Sequence, residues 1–239
     1  MSNKTLIIEE RARDIGDFLV GRLLPFRKKR MIGPFIFIDH MGPSQLGNGR
    51  FMDIGNHPHI GLSTLTYLFE GEIEHRDSLG TVQRITPGDV NWMSAGNGVV
   101  HTERTPADFR ESNVEHTVHG FQIWLASSKE QEQAPAFFHH SPKETLPFWE
   151  EDQIEYRLIV GEAFGRKSPV PTGGLECFML EIKTKALRTI KTKGKLSGEI
   201  GWCVVKGSVK ACGEEIGAGN LLYSKNTDDC SVEVSPDAH

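Results

Sequence analysis

Two short segments of the sequence carry histidine and carboxylate side chains at a spacing that suits metal binding. One is the His-Pro-His segment at 57–59 and the other is the His-Thr-Glu segment at 101–103. In a strand, side chains two residues apart point to the same face, so each segment can direct two ligands toward one ion. Three imidazoles and one carboxylate suit iron(II) or a neighbouring transition metal better than Mg²⁺ or Ca²⁺, and they leave coordination positions open. The predicted metal ligands are His57, His59, His101 and Glu103, and ordinary structural histidines are the alternative interpretation.

Short apolar runs separated by turn residues surround both segments. This pattern, from residue 54 to residue 125, is typical of an all-β barrel or sandwich, and no long amphipathic helix interrupts it. Strands are predicted at 64–70, 72–76, 81–85, 90–93, 99–101 and 121–125, with turns at 77–80 and 87–89. If the alternation that begins at His57 and His59 continues along the chain, Leu65, Tyr67 and Phe69 give the ion an apolar lining.

The last third of the chain repeats the β pattern without the ligands. Residues 126–149 are polar and rich in proline, as in a connection between domains. Residues 204–210 are similar to 67–73 in turn chemistry, and the only histidine after residue 150 is His239. We therefore predict an N-terminal metal-binding domain at 1–127, a linker at 128–149 and a C-terminal domain without metal ligands at 150–239.

Composition excludes some classes of function. The chain has 239 residues and a formal net charge of −5, which argues against a general nucleic-acid binder. No apolar run is long enough to span a bilayer, and the N-terminus lacks the pattern of a signal peptide. The four cysteines show no Cys-x-x-Cys spacing and are predicted to be reduced. These features predict a cytoplasmic protein that does not associate with membranes.

Several motifs, taken together, resemble the pirin family of the cupin superfamily. They are His57-Pro58-His59 with Gly61, Tyr67-Leu68-Phe69-Glu70-Gly71, Pro87-Gly88-Asp89, Met93-Ser94-Ala95-Gly96 and His101-Thr102-Glu103. The similarity covers most of the chain, because three further segments also match: Gly33-Pro34-Phe35 followed by Asp39, His119-Gly120-Phe121-Gln122-Ile123-Trp124, and Gly161-Glu162-Ala163-Phe164-Gly165.

The resemblance implies a bicupin, an all-β protein with two stacked antiparallel, jelly-roll-like β-barrels. It also implies one transition-metal ion per chain in the N-terminal barrel, bound by His57, His59, His101 and Glu103. Fe(II) is the expected metal, with Ni, Mn, Co, Cu or Zn as alternatives.

The function implied by the resemblance is that of a quercetin 2,3-dioxygenase, which opens a flavonol with O₂ and releases carbon monoxide. Its partners are then a small aromatic or polyphenol substrate and O₂, and Glu103 is the candidate catalytic base, or a ligand only. The alternative is a metal- or redox-dependent regulatory protein that binds a transcription factor or a metabolic enzyme subunit. A cupin enzyme that does not use O₂, such as an isomerase, is a third interpretation.

Two departures from the family pattern have structural consequences. Ser63 stands where family members commonly have glutamate, so we expect changed hydrogen bonding around the metal. Pirins usually continue past the position of residues 237–239, so we expect a shortened second barrel with an exposed edge.

Overall fold

The computed structural model describes residues 5–16, 18–225 and 231–239, and these residues are mostly antiparallel strands. In the first half they form β1 (Thr5–Glu9), β2 (Arg11–Asp14), β3 (Leu19–Leu24), β4 (Phe35–Leu46), β5 (Asp53–His59), β6 (Leu62–Glu70), β7 (Ile73–Asp77), β8 (Val82–Ile85), β9 (Val90–Ser94), β10 (Val99–Arg104), helix α1 (Ala107–Ser112), β11 (His116–Ala126), helix α2 (Lys129–Glu132) and β12 (Phe137–Ser141). In the second half they form a 3-10 turn (Lys143–Thr145), β13 (Phe148–Glu151), β14 (Ile154–Ala163), β15 (Arg166–Lys167), β16 (Phe178–Thr184), β17 (Arg188–Ile190), β18 (Ile200–Val204), β19 (Ser208–Ala211), β20 (Glu214–Gly217), β21 (Asn220–Ser224) and β22 (Val232–Val234).

The predicted all-β fold class is confirmed, and the six predicted strands correspond to β6 through β11. The sheets form open, jelly-roll-like sandwiches rather than closed barrels. Within the described ranges, neither helix has the length and apolar character needed to cross a membrane.

Two sheets face each other in the first half. A seven-stranded sheet has the order β12-β9-β6-β11-β4-β3-β2, and a four-stranded sheet has the order β5-β10-β7-β8. Buried apolar residues fill one end of the space between them, including Met41 and Leu68 from the larger sheet and Ile73 and Ile85 from the smaller one. The metal-ligand candidates lie on the smaller sheet.

The seven-stranded sheet also forms a wall against the second half. Because side chains alternate along a strand, Leu65 and Tyr67 on β6 point away from Leu68. They belong to a core that also contains Ile159 and Leu221 from the second half. One sheet therefore contributes to the site with one face and to the contact between the halves with the other.

The described strands of the second half, together with β1, form three small sheets, with the orders β1-β21-β18, β13-β14-β15 with β16 also on β14, and β17-β22-β19-β20. Among the described strands β16 pairs only with β14. The shortened second barrel stays a prediction. A cavity of about 810 Å³ lies between these sheets and the back of the seven-stranded sheet.

Two strands bear on the predicted domain boundaries without deciding them. Strand β1, at the start of the chain, pairs with β21 of the second half. Strand β12, which lies in the predicted linker, pairs with β9 at the edge of the seven-stranded sheet. The boundaries at 127 and 150 stay a prediction.

The turns that follow β6 and β18 support the predicted internal similarity. Gly71 and Gly207 have φ values of 79° and 78°, in the left-handed region that favours glycine. A Cβ atom on Gly71 would lie 2.1 Å from the carbonyl oxygen of Thr117, so this turn also needs glycine for space.

The prediction that the cysteines are reduced is wrong for one of them. Cys212 is disulfide-bonded, whereas Cys177 and Cys203 are free. Cys230 lies outside the described residues. The cytoplasmic location, which rested partly on reduced cysteines, stays a prediction.

A buried carboxylate joins the two halves. Glu181 on β16 accepts hydrogen bonds from Tyr67 Oη at 2.9 Å and from His239 Nε2 at 2.9 Å, and Lys183 Nζ lies 2.8 Å from it. Burial opposes ionisation, but the bond from His239 and the charge of Lys183 outweigh it and lower the pKa of Glu181 to about 2. The ionised carboxylate therefore stabilises the folded chain.

The Glu181→Gln variant should lower the free energy of unfolding at pH 7 by about 1.5–3 kcal/mol, as expected when bonds to a charged group are lost. Because the folded pKa lies below the unfolded value of about 4.3, this contribution is present above pH 4.3 and is lost as the pH falls further. Denaturant unfolding of both proteins at several pH values should show the difference shrinking below pH 4.

The control is Glu162→Gln, which removes an exposed carboxylate of β14 that pairs with the exposed Lys167. It should change stability little. A difference between wild type and Glu181→Gln that stayed constant down to pH 2 would contradict the role given to the ionised carboxylate.

Candidate metal centre

The antiparallel pairing of β5 with β10 brings three predicted ligands together. His101 lies directly opposite His57, and Val99 lies opposite His59. Ring centroids are 4.2 Å apart for His57 and His101, and 5.0 Å apart for each of the other two pairs. One ring nitrogen of each histidine lies within 4.8 Å of the others, which is close enough for all three to bind one ion after small side-chain rotations.

The hydrogen bonds of these rings leave nitrogen lone pairs for a metal. His57 Nδ1 is 2.9 Å from the carbonyl oxygen of Gly55, so Nδ1–H donates and Nε2 keeps its lone pair. His101 Nε2 is buried and has no hydrogen-bond partner among the described residues. Such an unpaired polar atom is costly in a protein interior, and a bound metal ion would satisfy it.

Burial also keeps two of the three rings, those of His59 and His101, neutral. It lowers the pKa of His59 to about 4 and, with the charges of neighbouring histidines, lowers the pKa of His101 to about 2. Neutral imidazole is the form that binds metal ions, so the histidines fit a transition metal at neutral pH.

Glu103 is a buried carboxylate beside the histidine group. A carboxylate oxygen lies within 4.8 Å of ring nitrogens of His101 and His75, in a second group that shares His101 with the first. A β-bulge between His101 and Glu103 shifts the register of β10 against β5, and it accounts for the displacement of Glu103 from His57 and His59. The complete four-ligand set stays a prediction.

The environment of Glu103 increases the proton affinity of its carboxylate. Burial raises the pKa of Glu103 to about 7, and the hydroxyl of Thr66, at 3.4 Å, compensates only weakly. Thr66 has one hydroxyl proton and a shorter contact, 2.8 Å, to the side-chain oxygen of Gln122. The carboxylate therefore has no strong donor from this side.

Sequence reasoning missed His75, which is buried on β7 next to the predicted ligands. Its Nδ1 lies 3.2 Å from His101 Nδ1, and its strand position is opposite Glu103. The same signal that identified the other ligands was available, because His75 and Asp77 are also two residues apart on a strand. The sequence pattern predicts only a hairpin strand and its turn at these two positions.

The predicted apolar lining of Leu65, Tyr67 and Phe69 is wrong. The chain turns at Gly61, which has a φ of 65°, and β6 then joins the other sheet, so the alternation that begins in β5 does not continue. The face of β6 and β11 on the side of the site carries Thr64, Thr66, Gln122 and Trp124 instead.

Ser63 also lies on the face of β6 that points away from the metal ligands. It is opposite Leu125, which belongs to the core shared with the second half. The expected effect of Ser63 on hydrogen bonding at the metal is therefore not supported, since Ser63 and Thr66 occupy opposite faces of the strand.

An aromatic wall stands beside the histidine group. Trp124 meets the ring of His59 edge to face, with centroids 5.1 Å apart, and stacks on Phe37 at 4.1 Å. The guanidinium of Arg22 lies 4.3 Å from the centre of the Phe37 ring, and Asp39 holds it with two hydrogen bonds of 2.8 Å. Trp124 and Phe37 are only partly buried, so the wall can contact a ligand.

Comparisons with known proteins show the family and the fold to which this chain is similar. The Pirin family model matches residues 18–125. A "Pirin-like protein" of Caulobacter vibrioides is 51% identical over 171 residues, which cover 70% of this chain and 58% of the relative. The "Putative quercetin 2,3-dioxygenase" of Pseudomonas aeruginosa is 37% identical over 238 residues, covering 97% of this chain and 71% of that protein. A crystal structure of quercetin 2,3-dioxygenase from Acinetobacter baumannii has a TM-score of 0.86 and 32% identity, covering 98% of this chain and 76% of that one.

We expect about one transition-metal ion per chain in the wild type, and the His101→Ala variant should lose nearly all of it, because the central ligand is removed. Metal analysis after loading and desalting measures this. His116→Ala is the matched control, since His116 packs against Phe109 and belongs to neither histidine group. Equal metal content in His101→Ala and His116→Ala would contradict the placement of the site.

Proposed function

Because this chain belongs to the pirin family, we propose that it is a metal-dependent dioxygenase that cleaves a flavonol such as quercetin with O₂. One observation carries the proposal: His57, His59 and His101 converge between two sheets, and His101 Nε2 is buried there without a partner among the described residues. The names of the Pseudomonas and Acinetobacter proteins support the choice of reaction.

The proposed cofactor is one transition-metal ion per chain, with Fe(II) as the first candidate. His57, His59 and His101 would hold it, and Glu103 would complete the set. A bound ion of this kind supplies Lewis-acid and redox chemistry for the reaction between O₂ and the flavonol. The neutral state of the buried rings supports this assignment.

The aromatic wall supports a flat, aromatic substrate. A flavonol that reaches the histidine group with its enolic oxygen can place its rings along Trp124 and Phe37. Contact with the wall would exclude water from the reacting oxygen and orient it. The Arg22 guanidinium, which lies against Phe37, would interact with a hydroxyl or an anionic group of the substrate.

We assign to Glu103 the role of general base. It is buried next to His101, and among the described residues its only side-chain donor is the Thr66 hydroxyl at 3.4 Å, so a carboxylate oxygen that does not bind the ion can accept the proton of the flavonol hydroxyl. Two carbon–carbon bonds of the central ring then break, both atoms of O₂ enter the ring-opened ester, and one carbon leaves as carbon monoxide.

Iron-loaded wild-type protein should consume quercetin in air and release an equal amount of carbon monoxide. The Glu103→Gln variant, compared at equal metal content, should lose about 10²- to 10⁴-fold in turnover, because the amide keeps the shape but cannot accept the proton. Quercetin absorbance and carbon monoxide detection measure the two quantities.

Glu74→Gln is the control, since Glu74 lies on β7 with its side chain paired to the exposed Arg76. It should match wild type. Unchanged turnover in metal-loaded Glu103→Gln would exclude Glu103 as the base. If wild type released no carbon monoxide from several flavonols, the dioxygenase proposal would fail, and pull-downs with metal-loaded and metal-free protein would then test the regulatory alternative.

A further inference from the structure

Asp77, His75 and His101 are joined by a continuous series of hydrogen bonds that leads to the buried imidazole of His101. Asp77 Oδ2 lies 3.1 Å from His75 Nε2, and His75 Nδ1 lies 3.2 Å from His101 Nδ1. The remaining nitrogen, His101 Nε2, is the buried atom that has no hydrogen-bond partner in the described part of the chain. All three side chains are almost completely buried, so water does not compete with these contacts.

The position of each proton in this series of hydrogen bonds follows from the Asp77 carboxylate, whose orientation is fixed. Asp77 Oδ1 accepts backbone N–H bonds from Leu79 at 2.9 Å and from Thr81 at 3.0 Å, which fix the orientation of the carboxylate. Two N–H donors on one oxygen and a ring nitrogen at the other give the carboxylate the acceptor contacts of its ionised form. An ionised carboxylate only accepts hydrogen bonds, so His75 Nε2 must donate.

The assignment then passes from ring to ring. A neutral His75 that donates from Nε2 has its lone pair on Nδ1, and this lone pair can accept only if His101 Nδ1 carries a proton. His101 is then left with a lone pair on Nε2. The opposite arrangement would place an N–H on His101 Nε2, where it would be a buried donor without a partner.

Packing holds His75, the middle residue of the hydrogen-bonded series, in place. The ring of His75 stacks on Phe138 of β12, with centroids 4.5 Å apart and planes 26° apart. Strand pairing places His75 opposite Glu103 and Asp77 opposite His101. A turn of the His75 ring would break this stack and its hydrogen bonds to Asp77 and His101.

We propose that Asp77 and His75 are positioning residues that hold His101 in the tautomer and orientation required for metal binding through Nε2. This inference rests on the metal site of the proposed function, but it is independent of the substrate and of the reaction. In other metal sites the loss of such supporting groups typically costs about 10- to 100-fold in metal affinity.

The Asp77→Asn variant tests the proton assignment because it keeps the shape of the side chain and reverses the direction of its hydrogen bond with His75. The asparagine oxygen must face the N–H groups of Leu79 and Thr81, so its NH₂ group faces His75. His75 Nε2 must then accept and His75 Nδ1 must donate, which forces the proton of His101 onto Nε2. The His75→Phe variant removes the relay, which is the pair of hydrogen bonds that links Asp77 to His101 through His75. It retains a ring that can stack on Phe138.

The probe is Co(II), titrated into metal-free protein against a competing chelator, with the visible d–d spectrum recorded at saturation. Asp77→Asn and His75→Phe should each bind Co(II) about 10- to 100-fold more weakly than wild type and show shifted bands. Glu74→Gln, which makes the same charge change on the same strand outside the chain of hydrogen bonds, should match wild type in both. Thermal unfolding of the metal-free proteins confirms that each variant is folded.

If both variants bound Co(II) with affinities within about twofold of that of Glu74→Gln, the positioning role of Asp77 and His75 would be overturned. Weaker binding with unchanged bands would overturn the tautomer assignment, because only the stability of the site would then have changed. Absence of Co(II) binding by wild type would overturn the metal site itself. If the Co(II) affinities were as expected but wild type did not turn over quercetin, the dioxygenase proposal would fail. The positioning role of Asp77 and His75 would stand.

Discussion

The candidate centre depends on the antiparallel register between β5 and β10. Because His101 is opposite His57, and His59 lies two residues further along the same face, three imidazoles meet inside a sandwich. A shift by one residue would turn the ligands of one strand to the outer face and leave a single pair inside. The burial that follows from this register keeps the rings of His59 and His101 neutral, so register determines both the geometry and the protonation of the site.

The two faces of β6 explain how one sheet serves the site and the contact between halves. Thr66 points toward Glu103, whereas Tyr67, the next residue, donates to Glu181 in the second half. Alternation of side chains makes these roles separable, since neighbouring residues on one strand contact different parts of the molecule. The second half can therefore support the wall of the site without contributing a ligand to it.

Local patterns in the sequence predicted the strands, the turns and the three histidines, because these features depend on residues close together in the chain. The lining of the site depended on which sheet receives β6 after Gly61, and this is decided by long-range pairing with β11 and β9. Extending the alternation of side chains from His59 therefore predicts the wrong face for Leu65. His75 and Asp77 had the same spacing as the ligands, but only the pairing of β7 with β10 shows that they reach His101.

Three buried carboxylates acquire different roles from their surroundings. In the described part of the chain Glu103 has one weak side-chain donor, Thr66, and burial raises its pKa to about 7, which suits a group that exchanges a proton or binds a cation. Asp77 accepts bonds from His75 and two backbone N–H groups, and these lower its pKa despite burial, which suits a fixed acceptor. Glu181 meets His239 and Lys183, and its low pKa makes it a permanent charge between the halves. The same functional group is thus reactive, orienting or structural according to the number of donors around it, and the least satisfied of the three is the one that lies beside the metal ligands.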